Sequence, residues 1–323
     1  LHGDRPEEAL AYAWSAARAA QRQFANEEVL ECLQRALAAS RRVSKYSLHD
    51  QAVLWEELAS TYLYLGDYAR LGTAARRARR QYSSDPVGRA RCAYLLSFDE
   101  RMSNRHTQAL RWCARGERDL LGVEDGRAQA VRIDLKESRA QSYLQQGRFQ
   151  SALAAAQTAE QLAALTSDEE RRHRVAEVRL CAAAFAGKPV DRAPLAAAAD
   201  HFGRQGNLGR EARARNVLGV VAMIEGDLTA AADAYVASAG AYARARRGLD
   251  EALQLANLSE VLINQCRFEE AEQRLAEAQR LWRGTPMNGE QAFGLSQTGR
   301  LALARGELAA DADLADDPRL DRG

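Results

Sequence analysis

Leu218-Gly219-Val220-Val221-Ala222-Met223-Ile224-Glu225-Gly226-Asp227-Leu228-Thr229-Ala230-Ala231-Ala232-Asp233-Ala234-Tyr235 reads as two helices joined by a tight turn. Leu218, Gly219 and Ala222 share one face of the first helix, at the spacing of a packed stripe. Gly226 is placed to end that helix in the left-handed conformation that costs glycine nothing. Leu228, Ala231 and Tyr235 then mark the buried face of the second helix. Small residues at Gly219 and Ala231 let the helices approach, and Tyr235 fills the gap beside them.

The unit recurs. One copy reads Trp55, Leu58, Ala59, Tyr62, Gly66, Tyr68, Leu71, Ala75, Ala78. Others read Ala140, Tyr143, Gly147, Phe149, Ala152, Ala156, Ala159 and Leu258, Ser259, Leu262, Phe268, Ala271, Leu275, Ala278. A weaker copy holds Leu96, Ser97, His106, Ala109, Cys113 and Gly116; a half copy holds Gly299, Ala302, Gly306 and Leu308. Turn glycines Gly147, Gly187, Gly226 and Gly306 keep a spacing of about 40 residues or a multiple of it, the period of a solenoid.

These columns resemble the tetratricopeptide repeat, most fully between Trp55 and Ala78, where Ala59 replaces a glycine and Leu71 an alanine. The resemblance implies an all-α, right-handed superhelix of antiparallel helix pairs, with about 14–16 helices and a repeat longer than the usual 34 residues. It covers 1–323 as one solenoid and says little of function, because the fold is a scaffold. The opening, Asp4–Leu10, Phe24–Glu28 and Leu33–Leu37, together with Leu255–Glu260, Phe268–Leu275 and Leu281–Arg283, is similar to the repeat tails of actinobacterial signalling proteins. Those proteins join a class III nucleotide cyclase or a LuxR-type DNA-binding domain to an AAA/STAND-type ATPase. The chain therefore reads as a fragment of a longer protein, beginning inside a helical turn and cut within its last copy.

Composition agrees with an ordered helical chain: 46% hydrophobic, 28% charged and six prolines. A net charge of +1 gives no strong field toward nucleic acid or anionic membrane. No apolar run approaches the roughly 20 residues that span a bilayer, and a cytoplasmic location is expected. Cys32, Cys92, Cys113, Cys181 and Cys266 are odd in number and lack a paired motif, so reduced thiols serving as small apolar residues are expected.

Along the chain, Pro6 suits a first helical turn, Asn26 is an expected N-cap, and Ser83-Ser84-Asp85-Pro86 is a stop and restart. Gly122–Gly126 breaks the chain again, and Ser167 or Asp168 caps the next helix. The copy over 169–202 is degenerate; Gly187-Lys188-Pro189 and Pro194 lengthen its turn, and Phe202–Gly209 is a hinge candidate within 187–209. Gly284-Thr285-Pro286 reads as a loop, and the tail from Asp311 as acidic and frayed.

No catalytic, cofactor or metal site is expected. Gly187-Lys188-Pro189 lacks the preceding glycine and the hydroxyl of a phosphate loop. The five histidines lack metal-ligand spacing, and His106 takes an aromatic column of the repeat. Basic clusters at Arg76-Arg77 with Arg79-Arg80, Arg171-Arg172 with Arg174, and Arg244 with Arg246-Arg247 read as solvated helix faces or as sites for phosphate or an acidic partner. What remains is surface. The resemblance implies that the first helix of each pair lines a concave groove, with ligand contacts beside the packed stripe. That selects Glu56, Ser60, Tyr94, Phe98, Arg101, Glu137 and Gln141, then Arg213, Asn216, Val220, Glu260 and Ile263. The expected partner is a protein or peptide, other domains of the same chain included, with neither nucleic acid nor membrane. Two functions follow: a regulatory sensor tail, or a free-standing adaptor or peptide receptor.

Overall fold

The computed structural model describes residues 5–283 and 289–306, and among these every regular element is an α-helix. The chain divides into two compact units, 1–194 and 195–323.

The first unit is built from α1 (Pro6–Arg22), α2 (Asn26–Ser40), α3 (Leu48–Leu65), α4 (Tyr68–Gln81), α5 (Pro86–Met102), α6 (His106–Asp119), α7 (Gly126–Gln145), α8 (Phe149–Ala164) and α9 (Glu169–Phe185). The second continues with α10 (Ala193–Arg204), whose first two residues precede the division, then α11 (Leu208–Ile224), α12 (Leu228–Arg244), α13 (Gly248–Asn264), α14 (Phe268–Trp282) and α15 (Gly289–Ala304). That makes fifteen helices among the described residues.

One turn geometry closes the odd-numbered helices. A residue with positive φ stands at Phe24, Gly66, Asn104, Gly147, Gly187, Gly226, Cys266 and Gly306. The steps between them are 42, 38, 43, 40, 39, 40 and 40 residues, which is the repeat itself. The next backbone N–H reaches back to close the helix end, as in Asp67 to Tyr62, Arg148 to Tyr143, Asp227 to Ala222 and Arg267 to Leu262, each at 2.9 Å. Where aspartate follows the turn it also starts the next helix: Asp67 accepts from the Arg70 N–H at 3.0 Å and Asp227 from the Ala230 N–H at 3.1 Å.

The helices pack through small residues. Ala152, Ala156, Ala159 and Ala163 form the whole buried stripe of α8. In the second unit a Cβ added to Gly219 would lie 2.7 Å from the Tyr235 ring, so the close approach of α11 and α12 rests on that glycine. Odd helices also touch directly: α3 with α5, α5 with α7, α7 with α9, and α13 with α15 in the second unit. No even pair packs comparably among the described residues, so the odd-numbered face is the more closely packed.

Several local expectations are met and two are corrected. Pro6 and Pro86 each stand in a first helical turn, and Asp85 and Asp168 cap α5 and α9. Asn26 is not an N-cap: it is the first residue of α2, and no side chain caps that end. Phe202 is the first residue of the hinge candidate. It is fully buried in α10 against Ala198, Ala199 and Ala214, and the chain turns at Gly206 before α11. All five cysteines are free of disulfides. The second correction is Cys266, which is exposed at a positive-φ turn and does not serve as a small apolar helix residue. Gly284-Thr285-Pro286, Leu308 and the tail from Asp311 lie outside the described residues.

Candidate interaction face

In the first unit the odd helices carry a run of polar and aromatic side chains fixed to one another. Tyr94 and Phe98 stand one turn apart on α5, and both are half-buried. The Phe98 ring lies 5.7 Å from the Tyr68 ring and 4.4 Å from the Arg101 guanidinium, which it helps to bury. On α7, Gln141 Nε2 donates to Glu137 Oε1 at 3.0 Å, and both residues are buried.

Arg174 of α9 ties these helices together. Its Nη2 donates to Asp134 Oδ1 at 3.0 Å, to Glu137 Oε2, and to the Tyr94 hydroxyl at 3.5 Å. Arg171 grips the same Asp134 with two bonds of 3.0 Å. Burial alone would lower the Arg174 pKa, but Glu137, Tyr94 and Asp134 outweigh it, and the guanidinium is held charged. The cluster at Arg171 and Arg174 is therefore not a solvated face; only Arg172 of that run is exposed.

Glu56 of α3 makes contacts outside the Arg174 network. It is buried, accepts from the Tyr82 hydroxyl at 2.6 Å, and pairs with Arg91 at 2.8 Å. Ser60 is half-buried on the same helix. Burial pushes the Glu56 carboxyl above its ordinary value of 4.5, and Arg91 and Tyr82 only partly oppose this. A raised carboxyl means the folded chain holds that proton more tightly than the unfolded chain. The resulting stabilisation is present at low pH and lost as pH rises through the folded value. Glu56→Gln should therefore gain stability relative to the parent as pH rises above 4.5. Thermal melts of both proteins across that range check this; a parent that gains on the variant with rising pH would contradict it.

In the second unit, Asn257 Nδ2 donates to Asn216 Oδ1 at 3.5 Å. Arg300 joins Glu260 at 2.7 Å to Asn264 at 3.2 Å. Val220 is half-buried against a core that contains Ile263, which is itself buried, and Arg213 is half-buried. So of the twelve residues, Glu56, Arg101, Glu137, Gln141 and Ile263 are buried, and the other seven are half-buried. Tyr94, Glu137 and Gln141 are joined through Arg174, and Phe98 with Arg101 lies beside Tyr94 on α5.

The fold is a tetratricopeptide-type helical repeat. Similarity to solved structures supports it. A STAND protein with a tetratricopeptide repeat sensor from Pyrococcus horikoshii is 15% identical, with a TM-score of 0.56, and the match covers 91% of this chain and 42% of that one. A Rap protein complexed with Competence and Sporulation Factor is 13% identical, with a TM-score of 0.64, over 97% of this chain and 89% of that one. This chain thus spans less than half of the STAND protein. No family model matches the chain, and no curated protein matches it.

Sequence reasoning did not select Asp134 and Arg174 in the first unit, or Asn257 and Arg300 in the second, as partners of the chosen residues. A signal for them exists. Asp134 and Arg174, Ser97 and Ser138, Asn216 and Asn257, and Glu260 and Arg300 are complementary polar pairs 40 or 41 residues apart. Equivalent positions of adjacent repeats meet, so such pairs are visible once the period is known. Among the described residues no helix is long and apolar enough to cross a membrane.

Proposed function

We propose that the chain is a non-catalytic protein-interaction module that takes a peptide or protein segment on its odd-numbered helices. The observation that carries this reading is the Tyr94–Phe98 pair, held half-exposed beside the Arg174 network. Rigid aromatics next to fixed polar groups give a partner both an anchor and hydrogen bonds for its backbone. The STAND and Rap likenesses support a sensor or receptor role. In this reading the chain is the regulatory repeat region of a multidomain ATP-binding signalling protein or transcriptional regulator. The other reading is a free-standing adaptor or peptide receptor.

The binding reading is tested by selecting peptides from a random display library on the immobilised chain. Selected peptides should lose at least about tenfold in affinity on Tyr94→Ala, as expected for an aromatic anchor. No enrichment, or enrichment indifferent to Tyr94, would sink it. Sequencing the complete reading frame separates the two contexts: an ATPase module in the same frame supports the first, and its absence the second.

A further inference from the structure

The even-numbered helices of the first unit carry a second feature. Aligning the buried positions Leu71, Ala75 and Ala78 of α4 with Ala109, Cys113 and Gly116 of α6 puts Arg77 level with Arg115 and Arg80 level with Arg118. All four arginines are exposed. The same columns hold Thr158 and Gln161 in α8, Ala237 and Gly240 in α12, and Glu277 and Arg280 in α14. The doubled arginines therefore belong to α4 and α6 and not to the repeat.

Each inner arginine lies over an indole. Arg77 stands 4.5 Å from the Trp55 ring and Arg115 stands 4.8 Å from the Trp112 ring. Arg79 bridges the two helices: it lies 5.7 Å from the same Trp112 ring and pairs with Asp119 at 2.7 Å. Stacking fixes the guanidinium plane and leaves its N–H edge for a partner, the geometry suited to a carboxylate.

The helices' own acids do not neutralise this face. α4 contains no aspartate or glutamate. On α6, Glu117 is held by Lys136 and Arg139, and Asp119 by Arg79 and Arg89. Among the described residues no carboxylate pairs with Arg77, Arg80, Arg115 or Arg118.

We infer that the outer face of α4 and α6 is a docking surface for an acidic amphipathic segment of a protein partner. Charge complementarity selects the carboxylates, and the half-buried indoles Trp55 and Trp112 supply apolar contact. α4 and α6 do not pack closely on each other, yet Arg79 of α4 reaches Trp112 and Asp119 of α6, so the two arginine pairs stand side by side. Carboxylates on successive turns of one helix face, about 5 Å apart by rise, would offer acceptors to both arginine pairs. Nucleic acid fits less well. Its dense phosphate charge calls for a broad basic surface, whereas this chain has a net charge of +1 and its basic columns stop after two helices.

The test is fluorescence anisotropy of the full chain with three probes: a labelled amphipathic helical peptide with a glutamate-rich polar face, a labelled DNA duplex, and phosphatidylserine vesicles. The variants are R80E/R118E and the control R22E/R280E, which changes net charge equally at exposed arginines elsewhere. Circular dichroism melts confirm that both fold. The peptide should bind the parent and the control alike and bind R80E/R118E about tenfold more weakly. Equal loss in both variants, or no peptide binding, overturns the inference. Tighter binding of DNA or vesicles with the same dependence on Arg80 and Arg118 also overturns it, making the face a phosphate reader.

Discussion

Arg174→Met is expected to destabilise the first unit by roughly 3–5 kcal/mol, the usual consequence of orphaning a buried ionic group. Arg174 is buried, and it faces Asp134 and Glu137, which are buried too. Without it, Asp134 keeps Arg171 and Glu137 keeps the Gln141 amide, but Glu137 loses the buried guanidinium that faces it. The loss comes from the charge left behind more than from the bond removed. Adding Glu137→Leu to Arg174→Met should therefore recover part of the stability. Arg172→Ala, at an exposed position two residues away, should stay within about 0.5 kcal/mol of the parent. Guanidinium denaturation of the four proteins decides it. A loss below about 1 kcal/mol for Arg174→Met would show that water reaches the carboxylates and that the network pins nothing.

Gly219→Leu is the second large effect, expected at about 1–3 kcal/mol. A Cβ at this position already meets Tyr235 ring atoms at 2.7 to 2.9 Å, and Tyr235 is itself buried, so the ring has little room to yield. Leucine's better helix propensity returns somewhat less than 1 kcal/mol, so overpacking wins by a modest margin. In a linear repeat the damage should stay with α11, α12 and their neighbours. Hydrogen exchange by mass spectrometry reads this directly, with faster exchange over 218–235 and little change in α3 to α6. The same measurement on the parent tests the hinge. Residues 165–209 should exchange faster than 218–235; equal protection would favour a stretch that moves as one body.

Periodicity carried the fold because it depends on backbone geometry that recurs whatever the side chain. Gly147, Gly187, Gly226 and Gly306 announced the turns because glycine takes positive φ freely. Phe24, Asn104 and Cys266 occupy the same conformation without that marker, which is why the spacing of turn glycines passes over them. Tertiary packing holds them there against a penalty of about 1–2 kcal/mol each.

The candidate face was only half legible. Tyr94 and Phe98 lie beside the packed stripe, where sequence placed them. The same rule chose Glu56, Glu137 and Gln141, and the structure buries them in contacts that span one repeat or less. Burial of a charged side chain depends on its cross-repeat partner, and Arg174 meets Asp134 only when α9 lies against α7. Sequence alone determined the helix pairs, their period and the small residues that let them pack. Tertiary structure decided which arginines are spent inside, as Arg171 and Arg174 are, and which remain outside, as Arg77 and Arg115 do. The reason is physical: hydrophobic period is a local property of the chain, whereas charge pairing across repeats is set by distances that exist only after the helices have stacked.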